Sequence, residues 1–261
     1  MALRALLFDL DGTLADTEAH GHRPSYNRAF RKLGLGFRWG PKLYRRLLKQ
    51  PSGRERLLHY LRRYQPELGE HAEAVSESEE AWVEHVHRLK SRYFRRYLRQ
   101  GKVPLRPGVA RLLREASEAG LRLAVVTNAS RSSVKPFLKY GLGQDLAQRI
   151  SLVVGGDQIA ARKPAPDLYR YALSRLKLAP YECIAIEDSA MGLEAARAAG
   201  VPTVITVNSD TLEQDFSAAS LVLDALGEPD QPSRVLAGRM DEAHLGLKTL
   251  RRIARSAAPR L

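Results

Sequence analysis

Residues 6–18 read LLFDLDGTLADTE. An apolar run that begins almost at the N-terminus leads directly into two aspartates, Asp9 and Asp11. In an extended chain alternate residues point to the same side, so both carboxylates can face one ligand while Leu10 points away. A charge beside a buried strand needs a partner, because burying it alone is costly. The stretch therefore predicts a strand that ends at a binding site.

Four further apolar runs of strand length follow, with helical segments between them. They are LRLAVVTN at 121–128, ISLVVGG at 150–156, ECIAIED at 182–188 and VPTVITV at 201–207. Continuous runs of Val, Ile and Leu are typical of strands that are buried on both faces of a parallel sheet. The segments between them carry helical spacing and end in glycine at Gly120 and Gly200. We predict an α/β fold with a doubly wound parallel sheet and a Rossmann-like core.

The long segment between the first and second predicted strands contains no convincing strand. Amphipathic helices are expected there at 19–34, 42–49, 53–64 and 77–100. We therefore expect an inserted α-helical cap domain at 17–103, a core formed by 1–16 and 104–228, and a basic C-terminal extension at 229–261.

The charge of the chain is unevenly distributed. The 261 residues are 44% hydrophobic and carry a net charge of +13. Residues 17–103 hold 20 Lys and Arg against 9 Asp and Glu, and residues 231–261 hold 7 against 2. The basic excess indicates either a solvated arginine-rich face or a field that attracts small anionic substrates. No recognisable nucleic-acid module accompanies it, so we expect no nucleic-acid partner.

Two further features of the sequence limit the class of protein. The apolar stretches are far shorter than the roughly 20 residues that cross a bilayer, and the N-terminus lacks the pattern of a signal peptide. We expect a cytoplasmic monomer with no membrane partner. The single cysteine, Cys183, excludes an internal disulfide, and its place in the apolar run CIAI favours a role in the core.

Polar residues follow four of the predicted strands. Ligands of open parallel sheets bind beyond the carboxyl ends of the strands, so residues at these positions are candidates for a site. Each of these polar residues has an ordinary structural explanation when it is taken alone. Polar residues at four successive strand ends, however, favour a functional site. They are Asp9 and Asp11, then Thr127 and Asn128, then a loop leading to Lys163, then Glu187 and Asp188.

The acidic members of this set indicate a metal ion. Carboxylates gathered within a few ångströms repel one another and take up protons unless a cation holds them ionised. An all-oxygen set without a Cys or His cluster favours Mg²⁺. Lys163 and the hydroxyl of Thr127 suit a phosphate group, whose transfer needs cations and donors already in place.

Four segments carry a family resemblance: FDLDGTLADTE, VVTNAS, ARKPAPDLY and IEDSAMGLEAARAAG. Together they resemble the four ordered motifs of the haloacid dehalogenase-like hydrolases, in the phosphatase branch with a helical cap. The resemblance implies that Asp9 is the nucleophile that becomes an aspartyl-phosphate, that Asp11 is the general acid and base, and that Lys163 is a catalytic cation. It further implies that Mg²⁺ is bound by Asp9, the backbone carbonyl of Asp11, Asp188 and, as a helper, Glu187, and that the phosphate is bound by Thr127, Asn128 and Lys163.

The expected cap bears on the substrate. Residues 15–48, followed by PSGRERLLHYL at 51–61, resemble the CbbY-like group, whose known activity is dephosphorylation of xylulose-1,5-bisphosphate. Where members of that group often carry Gly-Gly-Lys-Glu, this chain has Ser-Gly-Arg-Glu at 52–55. The expected substrate-binding residues are Asp16, Glu18, His22, Arg54 and Arg131. Trp39 and Tyr44 are expected to be cap core.

We therefore expect a Mg²⁺-dependent phosphatase of a phosphorylated sugar, in particular a sugar bisphosphate. Two other outcomes are open within the same fold: a β-phosphoglucomutase-like mutase, and a phosphoglycolate or broad sugar-phosphate phosphatase. A non-catalytic phosphate- or nucleic-acid-binding protein is the alternative from a different class.

Overall fold

The computed structural model describes residues 2–258, and the chain forms two compact units within that range. Residues 17–104 make up one unit; residues 2–16 and 105–258 make up the other. No helix among the described residues is both long and apolar enough to span a membrane.

The unit of residues 17–104 consists of helices joined by turns and irregular segments. A π-helical turn at Glu18–His22 leads into helix α1, and a 3₁₀ turn lies at Gly69–His71. Ser52 and Ser78 cap the two longest helices by accepting hydrogen bonds from the backbone N–H groups of Glu55 and Ala81. The helices are α1 (Arg23–Lys32), α2 (Pro41–Leu47), α3 (Gly53–Tyr64), α4 (Ala72–Glu77) and α5 (Glu79–Arg99).

Aromatic residues form the core of this helical unit. Trp39 and Tyr44 are fully buried there, as the sequence predicts, and pack with Tyr26, Phe30 and Tyr60. The ring centroids of Tyr26 and Trp39 are 4.6 Å apart. The unit thus has its own hydrophobic core.

The other unit is built on a seven-stranded sheet in the order β3-β2-β1-β4-β5-β6-β7. All neighbouring strands pair in parallel except β6 and β7, which are antiparallel. The predicted α/β class and parallel sheet are confirmed. The strands are β1 (Ala5–Phe8), β2 (Arg122–Thr127), β3 (Ile150–Gly155), β4 (Cys183–Glu187), β5 (Thr203–Thr206), β6 (Leu221–Leu223) and β7 (Val235–Ala237).

Among the described residues of this unit, six helices accompany the sheet, with a π-helical turn at Phe137–Leu142 and a 3₁₀ turn at Pro180–Glu182. They are α6 (Val109–Glu118), α7 (Arg131–Pro136), α8 (Gln144–Gln148), α9 (Asp167–Leu176), α10 (Ala190–Ala198) and α11 (Leu247–Ala257). Gly120 and Gly200 follow α6 and α10 with φ of 76° and 77°, a left-handed conformation that ends a helix and favours glycine.

Much of the predicted C-terminal extension is part of the sheet unit. β7 is the edge strand, and α11 buries Leu250, Ile253 and Ala254. The last residues of the predicted extension, 259–261, lie outside the described residues.

The register of the central strand determines where the polar strand ends meet. Phe8 of β1 lies opposite Val125 of β2 on one side and Ile186 of β4 on the other. The backbone N–H of Asp9 donates to the carbonyl of Ile186 at 3.0 Å. Asp9 therefore emerges between the ends of β2 and β4, beside Glu187.

Candidate active site

A buried lysine lies at the centre of the site. The Lys163 Nζ donates to Asp9 Oδ1 at 2.7 Å, to the carbonyl of Val126 at 2.7 Å and to Glu187 Oε1 at 2.5 Å. Its side chain is 4% exposed. An ammonium group has three donors, and these three contacts use all of them, so Lys163 is held in one position beside Asp9.

Tyr169 of α9 completes the lysine site. Its hydroxyl donates to Glu187 Oε1 at 2.6 Å, and its ring centroid is 5.2 Å from the Lys163 Nζ, within cation–π range. Tyr169 lies in the quoted segment ARKPAPDLY, six residues after the lysine, but its role is not predicted from the sequence. The tyrosine fixes the carboxylate that in turn fixes Lys163.

The second oxygen of Glu187 faces α10. Glu187 Oε2 is buried and has no hydrogen-bond partner among the described residues. A Cβ at position 192 would collide with this carboxylate, so Gly192 is required for the close approach of α10. Glu187 therefore anchors Lys163 directly, in addition to any contribution to a metal ion.

Asp188 is held by two neighbours at the end of β4. The Asn208 Nδ2 donates to Asp188 Oδ2 at 2.7 Å, and the Thr13 hydroxyl lies 3.4 Å from Asp188 Oδ1. Gly12 has a φ of 91°, and a side chain there would collide with Asp188 Oδ2. Asn208 follows β5, and the sequence interpretation did not identify it, although a polar residue at that strand end was a signal of the kind that marked the other site residues.

The acidic residues form a group that fits a metal ion. One carboxylate oxygen each from Asp9, Glu187 and Asp188 lie within 4.8 Å of one another, and all three residues are buried. Hard oxygen donors at this spacing suit Mg²⁺, which keeps water and substrate oxygens as its remaining ligands. Asp9, Glu187 and Asp188 are the residues whose side chains would hold the ion; Glu187 Oε1 also accepts from Lys163 and Tyr169.

The pKa values of this group reflect an excess of negative charge. Burial raises the pKa of Asp9 well above its usual value; Lys163 opposes this, while Glu187, Asp188 and Asp11 add to it. Burial and Glu187 likewise raise the pKa of Asp188 to about 7. Burial alone would lower the pKa of Lys163, but Asp9 and Glu187 outweigh it and raise that pKa. Lys163 and Arg106 bring two positive charges against three buried carboxylates, a condition that a divalent cation relieves.

Asp11 lies on the turn that follows β1. It is half-buried and forms an isolated bridge with Ala15, while the N–H of Gly12 donates to the carbonyl of Ala15 at 2.9 Å. Asp16, also half-buried, is the last residue of this part of the unit. The structure thus places Asp11 on a closed turn two residues from Asp9.

The predicted phosphate-binding residues after β2 have other contacts. The Asn128 side chain accepts from the N–H of Lys163 at 2.9 Å and donates to its carbonyl at 3.2 Å, so it fixes the backbone of the lysine loop. The buried hydroxyl of Thr127 accepts from the N–H of Ala129 at 3.1 Å. Arg131 is exposed, and its backbone N–H donates to Asp157.

Within the helical unit, Glu18 has partners of its own. The Tyr44 hydroxyl donates to Glu18 Oε2 at 2.5 Å, and the Arg56 Nη1 lies 3.2 Å from Glu18 Oε1. His22 stacks on Phe94 with centroids 4.1 Å apart.

Basic side chains also meet within this unit. The Lys90 Nζ is 2.8 Å from His22 Nδ1. Arg54 forms an ion pair with Glu84 and remains 55% exposed. Burial, Lys90 and Arg54 together lower the pKa of His87 to about 3.

Comparisons with known proteins agree with this geometry. Residues 3–200 match the family described as haloacid dehalogenase-like hydrolase. A CbbY protein encoded on a plasmid of Cupriavidus necator is 44% identical over 230 residues, which are 88% of this chain and 88% of that protein. The phosphorylated carbohydrates phosphatase of Thermotoga maritima is 31% identical and covers 78% of this chain and 85% of that protein.

A solved structure extends the comparison to the fold. A mutant of CbbY from Rhodobacter sphaeroides in complex with xylulose-1,5-bisphosphate superimposes with a TM-score of 0.75 at 34% identity, covering 85% of this chain and 94% of that one. The family match spans most of the sheet unit and the relatives span most of the chain. The chain therefore belongs to the haloacid dehalogenase-like hydrolases and is an enzyme of their phosphatase branch.

Proposed function

We propose that this protein is a Mg²⁺-dependent phosphatase that hydrolyses a sugar bisphosphate of the xylulose-1,5-bisphosphate kind through an aspartyl-phosphate on Asp9. The observation that carries the proposal is the buried Asp9 carboxylate, held by Lys163 at 2.7 Å within an acidic group that fits Mg²⁺. The CbbY relatives, one of them solved with xylulose-1,5-bisphosphate, support the substrate class.

The first step transfers the phosphoryl group to the enzyme. Lys163 holds Oδ1 of Asp9, so the other carboxylate oxygen attacks phosphorus, and the bond from phosphorus to the sugar oxygen breaks. Asp11 gives its proton to that oxygen, and the sugar leaves as an alcohol. The fixed charge of Lys163 stabilises the negative charge on the transferring group.

The second step returns the enzyme to its starting state. Asp11, now ionised, accepts a proton from a water molecule as the water oxygen attacks phosphorus. The bond between phosphorus and Asp9 breaks, inorganic phosphate leaves, and Asp9 is again a free carboxylate. Bound Mg²⁺ supplies positive charge that offsets the carboxylates and the phosphate oxygens.

The unit of residues 17–104 corresponds to the helical cap of the family, with Glu18, His22 and Arg54 as predicted substrate contacts. Asp16 and Arg131 have the same predicted role. Cytoplasmic location, a monomeric state and the lack of nucleic-acid binding stay predictions.

The test compares phosphate release from a substrate panel by the parent protein and by Asp9→Asn. The panel contains xylulose-1,5-bisphosphate, ribulose-1,5-bisphosphate, phosphoglycolate and β-glucose-1-phosphate. We expect the first to be hydrolysed fastest and Asp9→Asn to lose at least about three orders of magnitude in kcat. The exposed Asp215, changed to Asn, is the matched control and should keep its activity.

Three results would contradict the proposal. Equal rates across the panel would remove the bisphosphate preference, and turnover by Asp9→Asn near the parent rate would remove the nucleophile. Conversion of β-glucose-1-phosphate to an isomeric sugar phosphate without phosphate release would indicate a mutase.

A further inference from the structure

Arg106 lies where the chain re-enters the sheet unit after residue 104. Its backbone N–H donates to the carbonyl of Leu14 at 3.0 Å, and the preceding residue, Leu105, forms a bridge with Ala15. The two ends of the chain that leave and re-enter the unit are thus paired. The guanidinium of Arg106 continues from this point towards the ends of the strands.

The guanidinium donates hydrogen bonds to oxygen atoms of three separate segments. Nη1 donates to the carbonyl of Gly12 at 2.6 Å and to the carbonyl and hydroxyl of Thr206 at 2.7 and 2.9 Å. Nη2 donates to the carbonyls of Val207 at 2.6 Å and Asp224 at 2.8 Å. These acceptors lie at the end of β5 or after β1, β5 and β6, so one side chain connects the carboxyl ends of three strands.

Two of these contacts are one residue away from groups of the active site. Gly12 follows Asp11, the predicted acid and base whose carbonyl is a predicted Mg²⁺ ligand. Val207 precedes Asn208, which donates to Asp188 Oδ2 at 2.7 Å. Arg106 is therefore linked to the Asp11 turn on one side and to the Asp188 carboxylate on the other.

The Asp11 turn is closed by its own backbone and is linked to Arg106 from outside. Gly12 has a φ of 91°, and glycine has more backbone freedom than any other residue. A side chain there is excluded by Asp188 Oδ2 and by the Asn208 amide. Backbone hydrogen bonds within the turn close it, and the bond from Arg106 to the Gly12 carbonyl connects the closed turn to the ends of β5 and β6.

The charge of the guanidinium also acts on the site. The five hydrogen bonds from the guanidinium end on carbonyl and hydroxyl oxygens, which do not neutralise it. Its positive charge therefore remains at the carboxyl ends of β1, β5 and β6, next to the segments that carry Asp11 and Asn208.

We infer that Arg106 is a positioning residue for the phosphatase reaction: it sets the distance between the Asp11 turn and the Asp188 carboxylate and so prepares the Mg²⁺ site. The inference rests on the proposed function. A planar guanidinium with donors on two nitrogens can hold both sides at once, whereas an ammonium group acts as a single point charge.

Arg111 provides a matched control. Its guanidinium also donates to backbone carbonyls, those of Gly227 and Leu245 at 2.8 and 3.1 Å, and it forms an ion pair with Glu115 at 3.0 Å. It therefore crosslinks backbone segments as Arg106 does, but its hydrogen bonds do not include the Asp11 turn or the segment that carries Asn208. A purely structural role predicts similar effects of substitution at both positions.

The experiment compares Arg106→Lys and Arg111→Lys with the parent protein. Mg²⁺ binding is measured by isothermal titration calorimetry without substrate, together with kcat, KM and thermal unfolding. We expect Arg106→Lys to bind Mg²⁺ at least about tenfold more weakly and to lose at least about tenfold in kcat, with KM changed less than about threefold. Arg111→Lys should unfold at a lower temperature while keeping Mg²⁺ affinity and kcat within about twofold of the parent.

Parent-like Mg²⁺ binding by folded Arg106→Lys would overturn the inference, and so would an equal loss of Mg²⁺ affinity in Arg111→Lys. If Arg106→Lys does not fold, Arg106→Gln is measured in its place: weakened Mg²⁺ binding supports the inference and parent-like binding overturns it. The calorimetric measurement needs no turnover, so it is independent of the substrate panel, whose failure would overturn the proposed function instead.

Discussion

Lys163 in the sheet unit and Arg54 in the helical unit are both predicted to contact the substrate, but the structure holds them differently. Lys163 is 4% exposed, with three acceptors within 2.7 Å. Arg54 is 55% exposed and paired with one carboxylate, Glu84. Removing a buried cation that contacts several groups strongly lowers the free energy of unfolding, whereas an exposed ion pair contributes roughly 1 kcal/mol or less to it.

The difference separates two kinds of task. The contacts of Lys163 come from three segments of one unit, so its position is fixed before any substrate arrives, as chemistry on phosphorus requires. Arg54 has one partner that a substrate phosphate can replace. We expect substitutions around Lys163 to affect kcat and stability, and substitutions around Arg54 to affect mainly KM.

The largest effect is expected for Lys163→Met. Asp9 and Glu187 lose their shared cation, so we expect a loss of about 10³-fold in kcat and a fall in unfolding free energy of about 3 to 5 kcal/mol. Kinetics and chemical denaturation measure the two effects, and the exposed Lys135, changed to Met, is the control. Should Lys163→Met not fold, Lys163→Arg is measured in its place, and full activity in either variant would contradict the assigned role.

A smaller effect is expected for Tyr169→Phe. The variant keeps the ring but leaves Glu187 Oε1 with Lys163 as its remaining donor, so Lys163 is drawn towards Glu187 and away from Asp9. We expect kcat to fall about tenfold, KM to change little, and the unfolding free energy to fall by about 1 to 3 kcal/mol. Tyr171→Phe on the same helix is the control; an equal loss of kcat there would indicate a general effect on α9.

The raised pKa of Asp188 predicts how stability depends on pH. The metal-free folded protein holds this proton up to about pH 7, whereas the unfolded chain releases it near pH 3.8. The resulting stabilisation is complete below about pH 4 and is lost as pH rises through about 7. Mg²⁺ replaces the proton, so it should raise the melting temperature by several degrees at pH 8 and by less at pH 5.

Thermal unfolding with and without Mg²⁺ at the two pH values measures this effect. Asp188→Asn should show a smaller Mg²⁺ shift at pH 8. Equal Mg²⁺ shifts at both pH values in the parent protein would show that Asp188 does not couple proton and metal binding.

The smallest effect is expected for Glu84→Gln. Removing the carboxylate leaves Arg54 with its full charge, so KM for a bisphosphate substrate should fall by at most about threefold at low salt while kcat stays unchanged. Glu80→Gln is the control, because Glu80 is an exposed carboxylate of the same helix that contacts Arg62 instead. A large loss of kcat in Glu84→Gln would break the distinction between the two cations.

The sequence predicted the features that are local and continuous. Asp9, Lys163 and Asp188 lie in or beside short motifs at the ends of apolar runs, and the predicted runs coincide with β1 to β5. β6 and β7 were not predicted, because three residues are too few to show a period. The substrate roles of His22 and Arg54 stay predictions, since their contacts described here lie within the helical unit.

The supporting residues could not be predicted in the same way. Tyr169 is 18 positions from Glu187, Asn208 is 20 from Asp188, and the carbonyls bound by Arg106 are separated from it by 94 to 118 positions. Nothing in the local sequence distinguishes Tyr169 or Arg106 from a residue on the surface. Asn208 follows an apolar run, as the other site residues do, but that position does not identify its partner. Their partners are defined by strand order, and strand order is a property of the folded sheet.

The sequence by itself determined the class of fold, the order of the motifs and the residues that can carry phosphoryl transfer, because each depends on residue type and short-range spacing. The folded structure was needed to show that Lys163 donates to Asp9, Val126 and Glu187, and that Asn208 orients Asp188. Hydrogen bonds depend on ångström distances between segments far apart in the chain, and those distances exist only once the sheet has formed.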